Sequence, residues 1–213
     1  MQKNLINKTL ENKEPDIPVW FLRQAGRHIP EYFQIRKKET NFINFCLNED
    51  LIIESTKLPF KYYNLDAAII FSDILMIPWA MDRDVKFTKN FGPSLKPMIP
   101  NETKILQNVS INTKLKPLKN SIRFLRKDLP KSIGLIGFAG APWTLASYMI
   151  EGRGSKDFIE TRKALWSSNK WFKELIETLV IYIVDKLEMQ AKAGADILML
   201  FDSWSHMIPS CFF

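Results

Sequence analysis

Arg23, Arg27 and Arg36 fall within fourteen residues of a chain that has only eight arginines against twenty-two lysines. A guanidinium is planar, always charged, and presents paired N–H donors that match the two oxygens of a carboxylate or phosphate. Arg23 and Arg27 flank Gln24-Ala25-Gly26, directly after the apolar run Val19-Trp20-Phe21-Leu22. Gly26 permits close approach of backbone to a ligand, so Gln24, Ala25 and Gly26 are expected to shape the turn and expose backbone donors. The spacing predicts a turn that delivers cationic forks to one spot and grips an anionic small molecule. Asp73 follows a second apolar run, Ala67 to Phe71. A carboxylate there can accept hydrogen bonds from a ligand, or it can cap a helix beginning at Ile74-Leu75.

Composition narrows what could hold these residues. The chain has 213 residues, 46% hydrophobic and 12% aromatic, enough for one globular domain with a substantial core and unlike a disordered chain. The net charge of +7 comes almost wholly from lysines scattered along the chain. Scattered lysines describe a solvated surface rather than a nucleic-acid stripe, and no RNA-binding module is recognisable. His28 and His206 are the only histidines, so a histidine-rich metal site is excluded, and no nucleophilic triad can be placed. Cys46 and Cys211 lie far apart without metal-ligand spacing, which suits reduced thiols of a cytosolic protein. The polar, lysine-containing segment Met1 to Glu14 predicts no secretory signal. The uncharged run Ser132 to Ile150 contains three glycines and Pro142, and predicts a buried strand leading into a helix rather than a membrane span.

The elements that must position the arginines follow from hydrophobic patterning. Val19–Leu22, Ala67–Phe71 and Ile197–Phe201 are continuous apolar runs, expected to be parallel strands covered on both faces, and Ile133–Phe138 is a fourth. Trp171 to Ala193 places Phe172, Leu175, Ile176, Leu179, Ile183 and Leu187 on one helical stripe, stopped by Gly194. Asp82 to Pro97 predicts a small hairpin excursion. Strands alternating with helices imply a parallel α/β fold, with polar residues at strand carboxyl ends as in a (β/α)8 barrel or a doubly wound sheet. Gly137-Phe138-Ala139-Gly140 lacks the spacing of a dinucleotide-binding turn. About four strands are legible where a closed barrel has eight, so the sequence reads as one barrel domain over 1–213, truncated at its carboxyl end.

Three segments carry a specific resemblance. Pro18 to Arg27 resembles the amino-terminal signature of the uroporphyrinogen decarboxylase family. Gly137-Phe138-Ala139-Gly140-Ala141-Pro142-Trp143-Thr144-Leu145-Ala146-Ser147-Tyr148-Met149 resembles its second signature, and Leu65 to Leu75 is a third match in the right order. The resemblance implies a (β/α)8 barrel, incomplete here, that converts the four acetate side chains of uroporphyrinogen to methyl groups, giving coproporphyrinogen in heme and porphyrin biosynthesis. It implies no cofactor and no metal, and a homodimer in the full-length form.

By the same resemblance, Arg23 and Arg27 line the substrate cleft, a basic side chain there is a candidate proton donor, and Arg36 is suited to a rim carboxylate. Asp73 would accept hydrogen bonds from the pyrrole N–H groups and stabilise the cation formed on protonation. Tyr148 matches a cleft tyrosine and Ser203 a serine that contacts a carboxylate. His28 stands where the family has an aromatic, and reads as a structural replacement. Ser205-His206-Met207 departs from the small residues expected after Ser203-Trp204. The family's carboxyl-terminal histidine has no counterpart in this chain. Alternatives are an inactive tetrapyrrole- or anion-binding fragment, and a corrinoid-linked methyltransferase of the same superfamily, whose histidine and cysteine zinc ligands are not suitably placed here.

Overall fold

A computed structural model describes residues 4–11, 16–88, 92–100, 102, 110–167 and 170–212. In chain order the elements are α1 (Leu5–Leu10), α2 (Pro30–Lys37), α3 (Phe42–Phe45), α4 (Glu49–Lys57), β1 (Ala67–Ile69), α5 (Met76–Ala80), β2 (Lys86–Thr88), β3 (Gly92–Ser94), α6 (Ile111–Lys114), α7 (Lys116–Asp128), β4 (Gly134–Gly140), α8 (Pro142–Glu151), α9 (Ile159–Trp166), α10 (Lys170–Ala193) and β5 (Ile197–Phe201). The main sheet has the order β1-β4-β5, and β1 runs parallel to β4 with Ala67 opposite Gly134. The architecture is therefore α/β with a parallel sheet, as the apolar runs predict. The chain clusters into two compact units, the first comprising 1–73, 115–138 and 187–199, the second 74–114, 139–186 and 200–213.

In the first unit, β1 and the start of β4 are buried throughout, which explains their lack of any polar face. A core of Ile29, Tyr32, Ile35, Phe45, Leu51 and Leu58 packs with Phe71. The Phe45 and Phe71 rings meet edge to face at 5.2 Å. Asn48 caps α4 by accepting from the Leu51 amide at 3.1 Å, satisfying a donor that the first helical turn leaves open. Asp196, just before β5, accepts from the Leu135 amide at 2.7 Å and pairs with Arg126 of α7. At β4 the Gln190 side chain both accepts from the Phe138 amide and donates to the Phe138 carbonyl, each at 3.0 Å. Gly137 makes room for it: a Cβ there would lie 2.8 Å from Gln190 Oε1, so the glutamine would have to shift. Gly194 ends α10 at φ +114°, a conformation that an L side chain resists.

The second unit is built on α8. Pro142 at the first helical position starts it, and Gly152 in the left-handed conformation stops it. The hairpin of β2 and β3 is antiparallel, with Phe87 opposite Pro93, in the place the sequence predicts. Its continuation is tied to α8 by the Met98 amide, which donates to the Met149 carbonyl at 2.8 Å. Glu151 at the end of α8 accepts from both the amide and the hydroxyl of Thr161 in α9.

Two expectations fail. Val19–Leu22 is not a strand. The Val19 carbonyl accepts from the Asp66 amide at 2.9 Å and its amide donates to the Asp66 carboxylate at 2.7 Å, but farther along a side chain, not backbone, meets β1. Val19, Phe21 and Leu22 are consequently exposed. The second failure is β5, a strand at the sheet edge that alternates between half-buried and exposed, with Leu198 and Leu200 39% and 54% accessible.

Candidate anion-binding site

The arginine turn belongs to the first unit and is held by one amide. The Gln24 side chain, 3% exposed, donates to the Ala67 carbonyl at 2.7 Å and accepts from the Ile69 amide at 2.9 Å. It thereby replaces one residue of a neighbouring strand along β1. With Gln24 clamped, Arg23 and Arg27 on either side are exposed, while Ala25 and Gly26 are half-buried. The Ile29 amide closes the turn by donating to the Gly26 carbonyl at 3.0 Å, and Pro30 then starts α2. The sequence reading has Gln24 shape the turn and expose a backbone donor; its side chain does the shaping by bonding to β1.

Arg36 is also committed elsewhere. Its guanidinium donates to the Glu39 carbonyl and, at 3.0 Å, to the Thr40 carbonyl, and it lies 5.1–5.2 Å from the centres of the Phe42 and Phe45 rings. These contacts close the corner after α2, so the third arginine of the cluster serves the fold. Asp73 lies four residues beyond β1 and is half-buried. It does not cap the next helix: α5 begins at Met76 with Leu75 at the cap position and no side-chain cap. His28 is exposed and faces the Tyr63 ring at 6.4 Å, with Phe21 on the same tyrosine at 6.3 Å. This suits the aromatic replacement read from the sequence.

Beside the turn, Tyr62 donates its hydroxyl to the Glu31 carboxylate. That hydrogen bond holds the Glu31 carboxyl below its ordinary value and raises the Tyr62 phenol above its own. Burial raises the Tyr32 phenol, although the charge of Arg36 acts against it.

Tyr148 and Ser203 belong to the second unit. Ser203 is exposed on the turn after β5, and Tyr148 is half-buried on α8 with its ring 6.2 Å from Trp204. The sequence reading missed what holds them. Thr144 is fully buried; its hydroxyl donates to Asp202 Oδ1 at 2.6 Å and accepts from the Trp204 amide at 3.2 Å. The Trp143 indole donates to the Trp204 carbonyl at 2.8 Å, and Ser205 Oγ to the Asp202 carbonyl at 3.0 Å. The available signal was a hydroxyl residue in one motif and an acid after the next strand. Among the described residues, no group of three or more His, Cys, Asp or Glu could hold a metal ion.

The described residues thus form a parallel α/β protein with two exposed arginines, Arg23 and Arg27, on a turn held by Gln24. Comparison with known proteins gives the family. The uroporphyrinogen decarboxylase family model matches residues 1–213, and the chain belongs to that family. It is 44% identical over 207 residues to the uroporphyrinogen decarboxylase of Rickettsia felis, covering 97% of this chain and 59% of the relative. It is 43% identical over 206 residues to that of Rickettsia rickettsii (strain Sheila Smith), with the same coverage of both chains. The chain thus spans about 59% of the length of these relatives. Among solved structures, a methyltransferase from Methanosarcina mazei superposes with a TM-score of 0.66 at 14% identity, covering 92% of this chain and 57% of that one. That likeness is one of fold.

Proposed function

We propose that this chain carries the carboxylate-gripping part of a uroporphyrinogen decarboxylase, within one (β/α)8-type barrel domain over 1–213, and that the complete enzyme acts as a cytoplasmic homodimer. The observation that carries the reading is the arginine turn, where a buried glutamine fixes the backbone and leaves Arg23 and Arg27 facing outward. Uroporphyrinogen bears eight carboxylates around its rim and four pyrrole N–H groups at its centre. Arg23 and Arg27 take rim carboxylates through charge-assisted bonds, with backbone donors of Gln24, Ala25 and Gly26 beside them. Tyr148 and Ser203 take a further carboxylate. Arg36 supports the turn's surroundings rather than the ligand, as its bonds to Glu39 and Thr40 indicate.

The chemistry needs no electron sink beyond the substrate. A proton added to a pyrrole carbon makes that ring cationic, and Asp73 accepts from the pyrrole N–H groups and stabilises the positive charge. The carbon–carbon bond of the acetate then breaks, its electron pair neutralises the ring, and CO₂ leaves. A second proton on the exocyclic carbon completes the methyl group, as the first returns from the ring carbon. Arg23 is the basic side chain placed as candidate proton donor. No cofactor is called upon, since the pyrrole supplies what an organic cofactor would.

The test is turnover of uroporphyrinogen by the 213-residue protein, followed as loss of carboxylates, beside its binding of the stable oxidised form, uroporphyrin. Arg23→Ala and Asp73→Asn are expected to remove turnover, with Arg23→Ala also lowering affinity. A second reading is tetrapyrrole or anion binding without turnover. Binding that depends on Arg23, with no carboxylate lost, would select it. Absence of binding would sink both.

A further inference from the structure

We propose that Thr144 is a positioning residue: it holds the Asp202–Ser205 turn so that Ser203 and Tyr148 form a neutral grip for one carboxylate of the ligand. The inference rests on the polycarboxylate reading above and adds the device that builds its second subsite. Thr144 and Tyr148 are four residues apart on α8, so they share one helix face. Thr144 meets the turn at two points, giving its hydroxyl proton to Asp202 Oδ1 at 2.6 Å and accepting from the Trp204 amide at 3.2 Å. Ser203 lies between those two held residues and is exposed. Tyr148 meets the Trp204 ring at 6.2 Å, and Phe158 packs on that ring at 4.8 Å. One hydroxyl therefore ties the residue before Ser203 and the residue after it to the helix that carries Tyr148.

One buried group of the turn is left without a partner. The Trp204 indole nitrogen is buried with no acceptor among the described residues, although native proteins rarely leave such a donor unfilled. Ser203, exposed on the turn, and Tyr148, half-buried on α8, supply donors of neutral chemistry, a hydroxyl and a phenol. Donors of that kind suit a carboxylate oxygen, and they add affinity without the salt dependence that arginines bring.

The test uses the 213-residue protein, uroporphyrin titrated by fluorescence at low and high salt, and hydrogen exchange of the Trp204 and Ser205 amides. Thr144→Val keeps the side-chain shape and removes the hydroxyl. It is expected to speed exchange at the Trp204 amide and to weaken uroporphyrin binding by about tenfold, with the salt dependence unchanged. Thr144→Ser should restore both. Ser203→Ala, at an exposed position, should weaken binding several-fold even if Thr144→Val does not fold.

Unchanged exchange in Thr144→Val would show that Thr144 does not hold the turn. Faster exchange with unchanged affinity, or unchanged affinity in Ser203→Ala, would show that the turn holds no ligand. Wild-type binding that falls with Arg23→Ala but not with these variants overturns this inference alone. A wild-type protein that binds no uroporphyrin overturns the polycarboxylate reading with it.

Discussion

The arginine turn at 23–27 hangs on one buried side chain, Gln24, whereas the 202–205 turn is tied by four hydrogen bonds through Trp143, Thr144 and Ser205. The first presents charges, the second a neutral hydroxyl, Ser203, near the Tyr148 phenol of α8. A guanidinium attracts an anion over roughly a Debye length, about 8–10 Å at ordinary salt, so a turn held at one point suffices. A hydroxyl acts only at hydrogen-bond distance and with good alignment, so its turn has to be held from both sides. Charge tolerates a single anchor; neutral recognition does not.

Breaking the two mounts tests that contrast. Gln24→Leu leaves the Ala67 carbonyl and the Ile69 amide buried without partners, and should lower stability by about 2–4 kcal/mol in denaturant titration. Thr144→Val should lower it by about 1–3 kcal/mol, because the freed groups lie on a partly exposed turn. A larger loss from Thr144→Val than from Gln24→Leu would reverse the ranking of the two anchors.

The two exposed arginines should behave oppositely. Arg23→Ala and Arg27→Ala are exposed changes, expected to shift stability by less than about 0.5 kcal/mol. Each should nevertheless weaken uroporphyrin binding by about tenfold at low salt, and less at high salt. Arg36→Lys should do the reverse. It keeps the charge but loses the fork to Glu39 and Thr40 and the stack on Phe42 and Phe45, costing about 1 kcal/mol of stability with affinity unchanged.

The smallest effect concerns Glu31. Its carboxyl is held low by the Tyr62 hydroxyl, so this contribution is present above the ordinary carboxylate value and is lost as pH falls through the lowered one. Tyr62→Phe should move the Glu31 titration, followed by NMR, back up toward that ordinary value. An unmoved titration would show that the hydroxyl is not the cause.

Much of this was legible in the chain because it is local. β4 and α10 with its Gly194 stop announce themselves by apolar runs and periodicity, and the hairpin by its turn residues. Val19–Leu22 has the same composition as a strand but is not one, because Gln24 and Asp66, side chains distant in sequence from their partners, occupy the contacts a ladder would use. In β5 the apolar run shows that the strand is suited to cover on both faces, and says nothing of what covers Leu198 and Leu200. The arginine cluster was visible, but three arginines in one segment do not announce which two remain available. Arg36 is sorted from Arg23 and Arg27 only by the carbonyls of Glu39 and Thr40, and those meet it only once α2 has formed.

The central claim is that the 23–27 turn grips a polycarboxylate. Titrating the protein with uroporphyrin, which carries eight carboxylates, against coproporphyrin, which carries four, at low and high salt tests it most directly. The account predicts tighter binding of the eight-carboxylate ligand, with the gap shrinking in high salt and in Arg23→Ala. Equal affinity for the two porphyrins, or a preference that Arg23→Ala leaves untouched, would contradict it.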